Sequence, residues 1–246
     1  MLSRLPDDFT AVVTGASGGI GSAVVEALLA SGRPGRVIAV SRSGRLHPDP
    51  RVESLTLDPG TPEGGEALAR AMDEAPVHLL FNAIGMLHDD ALGIGPEKKL
   101  DELDAEAMAR LYHVNAITPA LLLKALQPSL KGRHPAIIAS LSARVGSIGD
   151  NRLGGWYAYR ASKAAHNMLM KTAAVEFRRL NRQAAIACLH PGTTDTALSA
   201  PFQARVPEGK LFTPAFVAER LLDVLEACTP ENSGIFLDWA GEQVAW

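Results

Sequence analysis

Seven short apolar runs punctuate the chain: FTAVVTG from Phe9, RVIAVSR from Arg36, RVESLTL from Arg51, VHLLFNA from Val77, PAIIASLS from Pro135, AAIACLHPG from Ala184 and GIFLDW from Gly234. They are short and rich in β-branched residues, which predicts strands buried in the middle of a sheet. Between them, apolar residues recur at helical spacing over 20–31, 61–74, 103–126, 157–180 and 214–227, with caps or breakers at the ends. Strand and helix therefore alternate. That order predicts an α/β fold, a single doubly wound parallel sheet of Rossmann type flanked by helices on both faces. No shift in composition marks a linker and no repeat is present, so residues 1–246 read as one domain. The less regular segments 86–99, 147–155 and 193–212 each begin near the carboxyl end of a predicted strand. Ligands of open α/β sheets bind at that edge, so these loops are the expected walls of a site.

The first strand runs into AVVTGASGGIGSAV, with glycines at 15, 19 and 21. Gly15 can make a tight exit from the strand. Gly19 and Gly21 let the backbone approach a pyrophosphate and pack the helix on the sheet, whose amino terminus offers free N–H groups. The same stretch contains G-x-S-x-G at Gly15, Ser17 and Gly19, the pattern of a hydrolase nucleophile elbow with Ser17 as nucleophile and His190 as a base. An elbow on the first strand has no preceding strand loop to give the second oxyanion donor, which argues for the cradle.

Composition narrows the chemistry. The chain is 47% hydrophobic and 21% charged with a formal net charge of -3, and its Lys and Arg residues are scattered, so it carries no basic stripe for nucleic acid. Two cysteines, Cys188 and Cys228, make neither a disulfide framework nor a structural zinc site. The seven histidines show no metal-ligand spacing, and no metal is expected. MLSRLPDDFT lacks the apolar core of an export signal, and no stretch approaches the span of a bilayer, so a cytoplasmic protein with no membrane partner is expected. His88, beside Asp89 and Asp90, reads as part of a solvated loop with pocket lining as its alternative.

GGWYAYRASKAAHNML sets Tyr159 and Lys163 four residues apart in a helical pattern, on one face. A nearby ammonium stabilises a phenolate, so Tyr159 can give a proton to a carbonyl being reduced or take one from an alcohol being oxidised. Tyr157 lies off that face and is expected to pack or line the pocket. Taken in order, TGASGGIG, FNAIG, VNAIT, SLSARVGS, YAYRASK and HPGTTDT resemble the motifs of the short-chain dehydrogenase/reductase family almost end to end. The stretch from Ser142 to Asn167, with VPEGKLFTP and the closing GEQVAW, is most similar to its C-factor-like and sniffer-like carbonyl reductase branch.

The resemblance implies an oxidoreductase that moves hydride between a nicotinamide cofactor and a small carbonyl or alcohol substrate. Tyr159 would be the acid-base residue, Lys163 would lower its pKa and bind ribose, Asn115 would hold a water in the proton relay, and Ser142 would hydrogen-bond the substrate oxygen. The family pattern has two adjacent serines and a glycine three residues on, whereas SLSARVG separates Ser140 from Ser142; counting back from Gly146 would select Ala143 instead of Ser142. Gly15, Ser17, Gly19, Ile20 and Gly21 would form the pyrophosphate and ribose turn, Asp58 would contact adenine, and Asn82 with Ala83 would lie over the adenosine. Pro191, Gly192, Thr194 and Thr196 match the segment that holds the carboxamide. Ser41, Arg42 and Ser43 stand where an NAD enzyme would carry an acid, so Arg42 points to NADP(H), with NAD(H) as the second possibility. A homodimer or homotetramer is expected. Two rivals remain at this level: a cofactor-binding regulatory or signalling protein of the same fold with little turnover, and the serine hydrolase using Ser17.

Overall fold

The computed structural model describes residues 1–246, apart from the side chain of Arg205. All seven predicted strands are present: β1 (Phe9–Thr14), β2 (Pro34–Ser41), β3 (Val52–Thr56), β4 (Leu79–Asn82), β5 (Ala136–Leu141), β6 (Ala184–His190) and, after two short strands, β9 (Ile235–Asp238). They form one sheet in the order β3-β2-β1-β4-β5-β6-β9, parallel throughout. The chain reverses direction across the sheet between β1 and β4, which opens a crevice at the carboxyl edge there. The two-residue strands β7 (Thr193–Thr194) and β8 (Leu211–Phe212) pair with each other beyond that edge.

The strands are apolar on both faces because each face has its own helices. On one side α1 (Gly19–Ala30) and α6 (Pro214–Glu226) press Val24, Leu28, Leu221 and Leu225 onto Ala11, Val13, Phe81 and Ala187. On the other, α2 (Pro62–Met72), α4 (Thr118–Leu130) and α5 (Tyr157–Leu180) bring Leu68, Leu122, Leu126, Met170 and Phe177 against Val12, Ile38, Leu80, Ile138 and Ile186. The alternation of these strand residues between the two clusters is the two-residue period of a strand read out as packing.

Capping follows the sequence: Thr61 accepts from Gly64 N and Thr213 from Phe216 N, each followed by a proline at the first helical position. The helix predicted over 103–126 differs. It is two helices, α3 (Ala105–Tyr112) and α4, joined through a π-helical turn at His113–Ile117 that contains Asn115. Such turns preserve helical direction while rotating the side chains that follow, so a periodicity count does not see them. No helix among the described residues is long and apolar enough to cross a membrane.

Candidate active site

A cleft of about 790 Å³ opens at the carboxyl edge of β1, β2 and β4. Gly15, Ser17, Arg42, Asp58 and Ala83 line it, so five of the residues singled out in the sequence share one wall system. Gly15 has φ +71, and a Cβ there would lie 2.9 Å from the carbonyl carbon of Ala83, so both conformation and space require glycine. A Cβ on Gly21 would lie 2.2 Å from Gly15 O, which is how closely the first turn of α1 sits on the turn before it. Helix α1 starts without a side-chain cap and without an acid in its first turn. No side chain caps its first N–H groups, and the residues leading into it, Ser17 and Gly18, line the cleft, a donor set that fits a pyrophosphate. Ser17 is exposed and makes no hydrogen bond to a histidine among the described residues, so nothing there activates it as a nucleophile.

Asn82 is held between three strands. Its Oδ1 accepts from Thr14 Oγ1 at 2.7 Å and Ile84 N at 3.2 Å, and its Nδ2 donates to Ser140 Oγ at 2.8 Å. It is a strut across β1, β4 and β5, while Ala83 is the residue of that pair in the cleft wall. Asp58 is half-buried, and its Oδ1 accepts from Gly60 N at 2.9 Å. Arg42 is exposed, with no ion pair among the described residues.

The second group lies at the amino end of α5. Tyr159 is 7% and Lys163 3% exposed, and the Lys163 ammonium stands 6.0 Å from the Tyr159 ring centre. Lys163 Nζ donates to Leu141 O at 3.0 Å. Burial lowers its pKa to about 8, and burial holds the Tyr159 phenol above its ordinary range. Asn115 is wholly buried: its Oδ1 accepts from Met86 N and its Nδ2 donates to Met86 O, both at 2.8 Å, and to Ser162 Oγ at 3.0 Å. A methyl built on Gly85 would lie 3.5 Å from Lys163 Nζ and 3.7 Å from Asn115 Oδ1, so the three meet at the inner end of the cleft. Ser142 is buried, and its hydroxyl donates to Asn167 Oδ1 at 2.6 Å.

The carboxyl end of β6 closes the third side. Pro191 and Gly192 lead into β7, Gly192 with φ +72 against the Phe212 ring. Thr196 packs its methyl where a Cβ on Gly19 would be 2.6 Å away, tying this segment to the first turn of α1, which continues through the partly buried Ile20. The Thr194 hydroxyl is buried and has no hydrogen-bond partner, a free polar atom suited to an amide. Beyond it, Ala197 and Leu198 line the cleft, and Leu198 with Phe202 packs into the apolar cluster around Tyr159.

Two features, Glu97 and Trp156, escaped the sequence reading, and a third, His88, falls to the alternative it offered. Glu97, 6% exposed, accepts from Ala158 N through Oε2 at 3.2 Å and from Trp156 N through its carbonyl, so a residue sixty positions away in the chain caps α5. Trp156 follows Gly154 and Gly155 in the left-handed region, φ 54 after 64 and 66, and its ring stands 6.2 Å from that of Tyr159 and 5.2 Å from Phe202. His88 lines the cleft and meets Phe202 at 5.9 Å, where its acidic neighbours suggested a solvated loop. Tyr157, the first residue of α5, is 38% exposed.

Comparison with known proteins extends this geometry. The family model described as short chain dehydrogenase matches residues 9–206. The 1-hydroxy-2-glutathionyl-2-methyl-3-butene dehydrogenase of Rhodococcus sp. strain AD45 is 32% identical over 206 residues, which cover 80% of this chain and 84% of that protein. C-signal of Myxococcus xanthus is 32% identical over 180 residues, 73% of this chain and 99% of the relative. Among solved structures, NADPH-bound carbonyl reductase from chicken fatty liver is similar with a TM-score of 0.83 at 27% identity, covering 98% of this chain and 100% of that one.

Proposed function

The chain belongs to the short-chain dehydrogenase family and is a nicotinamide-dependent oxidoreductase, and from that premise we propose that it is an NADP(H)-dependent carbonyl reductase, able in reverse to oxidise the corresponding alcohol. The observation that carries the reading is the burial of Tyr159 and Lys163 together, Lys163 beside Gly85, which lines the cleft that also holds the glycine turn and Arg42. A bound reduced nicotinamide would supply the hydride. Tyr159, its phenol held protonated by burial, donates the proton to the carbonyl oxygen. Lys163, with a pKa near 8, is mostly ammonium at neutral pH; it would hold the ribose and lower the phenol's pKa as the proton leaves. Both ends of the Asn115 side chain are engaged, so its relay water would sit on the main chain of the π-helical turn.

Arg42 supports NADP(H) over NAD(H): it is free to pair with a 2′-phosphate, Ser41 and Ser43 flank it, and no acid stands there to repel one. The turn from Gly15 to Gly21, Asp58 and Ala83 would carry the rest of the nucleotide, and Thr194 would meet the carboxamide. Exposed Ile117, Met168, Leu169 and Val175 on the outer helices support a homodimer or homotetramer. Fluorescence titration of NADPH and NADH tests the cofactor. Hydrogen bonds to a charged group contribute about 1.5–3 kcal/mol, so Arg42→Ala should weaken NADPH roughly ten- to a hundredfold and leave NADH nearly unchanged. Equal affinities in the wild type would remove the NADP(H) preference, and binding of neither would remove the oxidoreductase mechanism.

A further inference from the structure

We infer that the end of β5 offers the substrate oxygen the methyl of Ala143 in place of a hydroxyl, and that the pocket accordingly takes apolar, aromatic carbonyl compounds polarised by their own substituents. The inference rests on the reductase reading and concerns how that site meets its substrate.

Ser142 has one hydroxyl proton, and that proton is directed to Asn167 Oδ1 at 2.6 Å. A carbonyl oxygen needs a donor, and the lone pairs Ser142 has left are acceptors. Asn167 is eight residues beyond Tyr159 on α5, about 12 Å farther along the helix axis at 1.5 Å per residue. Its Nδ2 reaches Gly146 O at 3.5 Å, so the pair ties the turn after β5 to the body of the helix. Ser142 is thus drawn down α5, away from the end that carries Tyr159.

Register gives the same result independently. A Cβ on Gly146 would lie 2.8 Å from Lys163 Cβ and 2.9 Å from its carbonyl carbon, which fixes the turn against α5 at the very residue that accompanies Tyr159. Gly146 N donates back to Ala143 O at 2.8 Å, closing the short helix Arg144–Gly146 onto Ala143. Ala143 is extended, φ -146 and ψ 144, so its side chain points opposite to that of Ser142. Its methyl belongs to the apolar cluster that holds Tyr159, Ala158 and Leu87.

The cluster around that methyl mixes aliphatic side chains, Leu87, Ile94 and Leu111, with aromatic ones. Trp156 and Phe202 stand beside Tyr159, and His88 continues the row. The buried acid nearby, Glu97, is turned onto Ala158 N as a helix cap. In the reduction the carbonyl carbon takes the hydride and its oxygen takes the Tyr159 proton, two electrons leaving the reduced nucleotide, which ends oxidised. One missing oxyanion donor lowers kcat about 10²–10³-fold, and an adjacent electron-withdrawing carbonyl group on the substrate offsets that loss.

The test uses the full chain with NADPH, benzil as the polarised probe and acetophenone as the plain one, on wild type, Ala143→Ser and Ser142→Ala. NADPH titration and thermal melting accompany each. Wild type should reduce benzil at least a hundredfold faster than acetophenone. Ala143→Ser should raise kcat on acetophenone about tenfold or more with NADPH affinity unchanged, while Ser142→Ala lowers the melting temperature and changes kcat less than about fivefold. A loss near a hundredfold in Ser142→Ala, with NADPH binding kept, would overturn the inference by returning the donor role to Ser142. Absence of any gain in Ala143→Ser would equally reject Ala143 as the vacant place. If NADPH binds but no variant reduces either ketone, the reductase reading fails and the inference with it.

Discussion

The two ends of the cleft are built from different material. At the outer end, around β1 and β2, the cleft surface is largely main chain: the turn at Gly15, the uncapped start of α1 and the backbone of Ala83, with Arg42 and Asp58 as charged side chains beside it. At the inner end, around β5 and α5, it is mostly side chain: Tyr159, Lys163, Trp156 and Phe202. Main-chain donors serve any dinucleotide and depend only on glycine being present where the backbone must turn or approach closely. Side-chain surfaces depend on direction, and a shift of one residue at the end of a strand exchanges a hydroxyl for a methyl. In the proposed reductase the outer end would therefore set the cofactor class, and the inner end chemistry and substrate.

Separating the two ends by mutation should produce its largest effect at the inner one. Tyr159→Phe removes the proton donor without altering the turn, so kcat should fall about 10²–10⁴-fold while NADPH binds as in the wild type. A fall in NADPH affinity of similar size would mean that the two ends are not separable. Gly15→Ala comes next and acts through the backbone. Left-handed φ costs an alanine about 1–2 kcal/mol, and its methyl meets Ala83 at 2.9 Å, so nucleotide affinity and melting temperature should fall together. An alanine variant with unchanged NADPH affinity would show that the cradle does not need this turn.

The same division decides how much could be read before the fold was known. Seven strands and the parallel order were legible because continuous apolar runs and alternating helices have few other solutions. The glycine turn was legible because glycine carries its meaning locally. Asn115 was singled out by its motif, but the π-helical turn that carries it was hidden inside a regular apolar period. Ser142 was chosen by counting along the strand, and no count could reveal that its proton goes to Asn167. Glu97 and Trp156 left no signal, because a cap supplied from a distant loop and a left-handed aromatic before a helix are set by tertiary contacts. For His88 the alternative of pocket lining prevailed over the solvated loop, because local polarity says little about which side of a loop faces a pocket.

The last expected effect, on stability and not on turnover or nucleotide binding, lies one turn below Lys163 and has the opposite sign. His166 is fully buried, neither ring nitrogen has a partner, and burial with the charge on Lys163 lowers its pKa well below the ordinary value. His190, likewise unpartnered at Nδ1, is lowered to about 4. For both, the unfolded chain binds a proton more readily than the folded one. Their contribution is unaffected above the unfolded value near 6.5, and stability is lost as pH falls from 6.5 towards the lowered folded values. The melting temperature of the wild type should therefore drop between pH 6.5 and 4.5. His166→Leu removes two buried unpaired nitrogens in a comparable volume, so it should raise stability at pH 7.5 by about 1–3 kcal/mol and flatten the acid limb, with NADPH affinity unchanged. If leucine instead lowers the melting temperature, the imidazole is bonded to an internal water and belongs to the polar network beneath Lys163. The inner end would then extend one helical turn deeper than its surface, and its chemistry would be set partly from below.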